Sequence, residues 1–157
     1  MTKSADPALA EPKPLPAANA CGAADALHRA AAESARLHER LGRSLELVCS
    51  DEELKHVAQL TALADEHLSA MCAAYEAAAD AAPEAKTEAW WHAANTMWLA
   101  AREYNRRNSR SDAVSKLAGK NRKKLEELTM EYELERSALL GLKQAAAAYH
   151  ALRPDGA

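Results

Sequence analysis

A chain of 157 residues with a formal net charge of −3 fits one domain, and about a quarter of it is alanine, with no phenylalanine. Three cysteines (Cys21, Cys49 and Cys72), odd in number and without a CxxC pair, argue against a disulfide framework or a cysteine zinc site. No apolar run is long enough to span a bilayer. The first 19 residues carry Asp6 and Glu11 and lack the apolar stretch of a secretory signal, so a reducing cytoplasmic setting is expected.

Residues 1–19 are expected to be a disordered Pro/Ala-rich tail, because Pro7, Pro12, Pro14 and Pro16 interrupt any helix and apolar content is low. A first helix over about 20–48 carries the stripe Leu27, Ala30, Ser34, Leu37, Leu41, Leu45, Val48. Ser50-Asp51-Glu52-Glu53 then reads as a capping box. The Ser50 hydroxyl can accept from the third helical amide, and the acids suit the helix N-terminus. The second helix, about 51–81, has an unbroken heptad stripe of Leu54, Val57, Thr61, Ala64, Leu68, Met71, Tyr75 and Ala78.

Pro83 ends that helix and suits the first turn of a third, over about 84–108. Trp90, Ala94, Met97, Ala101 and Tyr104 share its stripe, and Trp91 and Trp98 lie on an adjoining one. Two breaks compete for its end. At Asn108-Ser109-Arg110-Ser111, arginines suit a C-terminus and Ser111-Asp112 an N-terminus. At Gly119-Lys120-Asn121, Gly119 suits a left-handed cap and gives helices of matched length. Lys120, Arg122, Lys123 and Lys124 would oppose the dipole of a helix starting there, so the break is placed at 109–110. The last helix then runs over about 111–152, roughly 60 Å, and overhangs the others. Its stripe is Val114, Ala118, Asn121, Leu125, Leu128, Tyr132, Glu135, Leu139, Leu142, Ala146 and Tyr149, followed by a tail at 153–157. Glu135 on that stripe needs either a partner such as Arg40 or a shift of the stripe. The fold expected is all-α: an antiparallel up-down four-helix bundle with long, coiled-coil-like helices.

Three constellations could carry function. The segment 102–124 holds Arg102, Arg106, Arg107, Arg110, Lys116, Lys120, Arg122, Lys123 and Lys124 against Glu103 and Asp112, a net +7 that leaves −10 for the remainder. Such polarity can attract nucleic acid or another polyanion, with Asn105, Asn108, Ser109 and Ser111 as further donors. The plainer explanation is a solvated turn whose cations pair with Glu126, Glu127, Glu131 and the second helix. No nucleic-acid-binding motif accompanies the charge.

Trp90, Trp91 and Trp98, with Met97, Leu99 and Tyr104, widen the apolar face of the third helix beyond one seam. That is foremost a core helix touching two neighbours, with an interface next and a small-ligand pocket last. Glu53 and His56 have ExxH spacing, and Asp25/His28 and Glu88/His92 have helical spacing. A di-metal bundle needs the ExxH motif twice, and Glu53 is better used as a capping acid. No cofactor, metal or catalytic set is assigned, because GxSxG, P-loop, GxGxxG and HExxH patterns are all absent.

The expected function is therefore non-enzymatic: a helical scaffold or adaptor acting by helix-mediated self-association or by binding a protein partner, with contacts expected at Trp91, Trp98 and Tyr104 or at Leu139, Leu142 and Tyr149. Polyanion binding through 102–124 is the alternative, and a metal-dependent bundle enzyme is the weaker one.

Overall fold

The computed structural model describes residues 16–47, 50–119 and 121–153. It is a four-helix bundle: α1 (Pro16–Glu46), α2 (Asp51–Asp80), α3 (Ala89–Ala118) and α4 (Arg122–Leu152), with a 3-10 turn at Pro83–Thr87 between α2 and α3. No strand occurs among the described residues. At 30 or 31 residues each, the helices are about 45 Å long and none overhangs. The 60 Å last helix expected from the sequence is thus replaced by two matched ones.

The third helix breaks at Gly119, not at 109–110. Gly119 has φ +47°, a conformation other residues adopt only with strain. The Asn121 side chain accepts from the amides of Lys123 (3.0 Å) and Lys124 (3.4 Å), capping α4 directly. These local hydrogen bonds outweigh the dipole mismatch of Arg122, Lys123 and Lys124, a term worth only tenths of a kcal/mol to about 1 kcal/mol at exposed positions. The polar run that resembled a loop stays helical because its side chains find partners across the bundle. Asn108 reaches Asp65, and Arg107 and Arg110 reach Glu131.

Other boundaries move less. α1 starts at Pro16, inside the segment assigned to the tail, since proline is well accommodated in a first helical turn. Residues 1–15, Val48, Cys49 and 154–157 lie outside the described residues. Ser50 caps α2 as expected, its hydroxyl accepting from the Glu53 amide at 3.3 Å. Pro83 opens the 3-10 turn rather than α3, because Thr87 closes that turn on the Glu84 carbonyl and Glu88 is extended.

The helices pair as two close hairpins, α1 with α2 and α3 with α4, and contacts between the hairpins are sparser. The contiguous core lies at the base of the bundle, where the start of α1, the end of α4 and the α2–α3 connection meet. It comprises Ala20 to Ala31 of α1, Leu68 to Tyr75 of α2, Trp90 to Tyr104 of α3 and Leu142 to Tyr149 of α4, with Ala82 and Ala85 beneath. Alanines permit close approach within each pair, while Tyr75, Trp90, Met97 and Tyr104 supply the bulk. Tyr149 closes the base by donating to the buried Asp25 carboxylate at 2.7 Å.

Candidate partner-binding surface

Toward the two hairpin turns the core changes character. Apart from Leu37 of α1, the buried residues there are small or polar: Thr61, Ser111, Val114, Ala118 and Glu131, with Val57. Large apolar side chains are exposed instead, among them Leu45, Leu47, Leu117, Met130 and Tyr132. A polar cluster marks the boundary. Asp65 of α2 accepts from Ser34 (2.6 Å) and Asn108 (2.9 Å), and its carboxylate meets His38 Nε2 at 3.0 Å. The Tyr104 hydroxyl donates to Asp65 at 3.1 Å and also meets His38. Three helices are joined through one carboxylate, which satisfies hydroxyls that would otherwise be buried without partners. Burial, then the negative charges of Asp65 and Glu135, pushes the Tyr104 hydroxyl well above its ordinary pKa.

Beyond this cluster an apolar groove of about 610 Å³ opens between α1 and α4. Leu41, Leu45, Tyr132 and Leu139 line it, with His38 at its inner end and Glu135 and Arg136 at its edge. These are members of the α1 and α4 stripes, which lie against the core at the base and lose that cover here. A shallower alanine-lined depression continues along the same two helices past Ala31, Ala35 and Ala146. The bridge from Lys143 to Glu39 crosses between them.

The contact residues expected from the sequence divide accordingly. Leu139 lines the groove, and Trp91 and Trp98 are partly exposed. Tyr104, Leu142 and Tyr149 are fully buried and offer no surface, because the base is where their stripes meet. Tyr132 is exposed, and the buried acid on α4 is its neighbour Glu131 rather than Glu135, which is only partly buried. Glu131 faces α3, where Arg110 Nε lies 2.7 Å and Arg107 3.9 Å away.

Most of the basic segment is engaged locally. Arg106 and Arg107 bind Glu103, Lys116 binds Asp112, Arg122 faces Glu126, and Lys124 binds Glu127. Arg102 stacks 4.8 Å over the Trp98 ring. Lys120 lies outside the described residues. Among the described residues no three His, Cys, Asp or Glu side chains group as metal ligands, and no helix is long and apolar enough to cross a membrane. Cys21 and Cys72 are free and buried; burial pushes the Cys72 thiol up to about 11, a structural thiol rather than a reactive one.

The sequence flagged Ser34 as a stripe residue and Asn108 as a donor, but not Asp65 or His38. A polar residue in an apolar stripe, as Ser34 is, was the available sign of a buried network. No known protein family, curated protein or solved structure matches this chain.

Proposed function

We propose that this protein is a non-enzymatic helical scaffold that works by helix-mediated association, with a second copy of itself or with a protein partner, through the α1/α4 face. The observation that carries this reading is the apolar groove lined by Leu41, Leu45, Tyr132 and Leu139. Apolar stripes left uncovered over several turns are suited to helix-in-groove packing, in which side chains at i, i+3, i+4 and i+7 supply the anchors. The paired state of most basic side chains favours this reading over polyanion binding.

Light scattering coupled to size exclusion, at low and high salt, tests the self-association arm. The expected result is a dimer or larger species that survives high salt and becomes monomeric in Leu45→Asp/Tyr132→Asp with helicity unchanged. A monomer at both salts removes self-association. An assembly that dissociates in salt and ignores the double substitution removes the groove as its seat.

A further inference from the structure

The opposite side of the molecule carries a different feature, a niche of about 270 Å³ where the C-terminal end of α2 faces the first turns of α3. Its walls are aromatic. Tyr75 comes from α2, while Trp91 and Trp98 lie two helical turns apart on α3, with Asn95 between them. Two turns separate Cα atoms by about 10 Å, room for one small group between the indoles. The Tyr75 and Trp98 rings meet at 6.3 Å with a 50° tilt, giving two adjoining walls.

Polar chemistry at the niche is unfinished. The Tyr75 hydroxyl and the Trp91 Nε1–H are both buried and have no hydrogen-bond partner, although Tyr75 is only 1% exposed. Trp98, by contrast, donates to the Cys72 carbonyl at 3.2 Å. Buried polar groups are ordinarily satisfied, so two orphans on residues lining one niche point to an occupant bearing an oxygen. Glu76 and Asp80 also line the niche and have no ion-pair partner among the described residues. Lys86 is the single cation in the lining. Indole and phenol faces attract cations, as Arg102 over Trp98 already shows, and Arg102 does not line the niche.

We propose that this niche binds a small alkylated ammonium bearing one oxygen function, its cationic head against the partly exposed rings of Trp91 and Trp98, with Tyr75 behind them, and its charge balanced by Glu76 and Asp80. The oxygen accepts from the Trp91 Nε1–H and meets the Tyr75 hydroxyl. A neutral ligand of the same shape would lose both the ring quadrupoles and the carboxylates. An anion would be repelled by Glu76 and Asp80.

The test is an NMR titration of the full chain, following the three indole N–H resonances with choline, glycine betaine and 3,3-dimethyl-1-butanol, the uncharged isostere of choline. Saturable shifts with choline or betaine at concentrations up to about 50 mM, and none with the alcohol, are expected. Calorimetry should show binding lost in Trp91→Leu and weakened about tenfold in Glu76→Gln/Asp80→Asn. The last two positions are exposed, so that double variant keeps the test valid even if Trp91→Leu folds poorly. The proposal is overturned by the absence of saturable binding of either ammonium, by equal binding of the alcohol, or by a folded Glu76→Gln/Asp80→Asn protein that binds choline unchanged.

Discussion

At the base of the bundle Leu27, Leu68, Met97 and Leu142, one from each helix, are fully buried; toward the hairpin turns Leu45, Leu117 and Leu125 are 65%, 70% and 45% exposed. Both regions are built from similar helical stripes, so apolar content alone does not separate them. The difference lies in what fills the space between the hairpins. At the base, tyrosines and tryptophans bridge it. Toward the turns, the inward positions of α2 and α3 hold the smaller Val57, Thr61, Ser111, Val114 and Ala118. Each hairpin there is held by its own close packing and by ion pairs such as Arg110–Glu131.

The largest expected effect that sharpens this comparison is alkaline. Tyr75, Tyr104 and Tyr149 are buried at or beside the base, while Tyr132 is exposed toward the turns. Burial pushes the Tyr75 hydroxyl up to about 12; burial with Asp65 raises Tyr104, and burial with the Asp25 hydrogen bond raises Tyr149. Their folded pKa values exceed the unfolded value of about 10. The stabilisation is therefore complete below pH 10 and is lost as pH rises, because the unfolded chain sheds protons that the folded one keeps. Three such groups together lower the unfolding free energy by about 3 kcal/mol between about pH 10 and pH 11. Denaturant melts at pH 9 to 11, monitored by circular dichroism, should show a midpoint that collapses over this range. A flat midpoint would mean the base is not closed around the three hydroxyls.

A paired truncation compares the regions directly. Leu68→Ala removes a fully buried side chain from the core and should cost about 2–5 kcal/mol. Leu45→Ala, measured on the monomer, should change stability by less than about 0.5 kcal/mol. Equal costs would show that the turn end is as tightly packed as the base.

The stripes of α2 and α3 were legible because heptad spacing predicts inward faces wherever a neighbouring helix follows it, and Val57, Thr61, Ala64, Leu68 and Tyr75 are all buried. The α4 stripe was legible only at the base. Above it, Leu125 and Tyr132 follow the period yet are exposed, while the residue turned to α3 is a glutamate. Hydrophobic periodicity cannot mark a helix face whose contact is an ion pair. The break at Gly119 was misplaced for a related reason: a polar run in one sequence looks the same whether it faces water or reaches Asp65 and Glu131. The Trp cluster was legible as an apolar face, but its division into a buried Trp90 and the niche-lining Trp91 and Trp98 depends on where α2 ends.

The boundary between the two regions is itself testable at Asp65. Asp65→Ala removes the common acceptor of Ser34, Tyr104 and Asn108 and leaves the fully buried Ser34 hydroxyl without that partner. The cost should be about 2–3 kcal/mol, the range for losing hydrogen bonds to a charged, partly buried group. Asp65→Asn keeps an oxygen acceptor and should recover about half of that. Tyr104→Phe combined with Asp65→Ala should cost less than the sum of the two, since both remove the same contact. Strict additivity would mean that the hydroxyl and the carboxylate act separately, and the cluster would then be a set of local hydrogen bonds rather than the joint that ties α3 to the α1–α2 hairpin where the core ends.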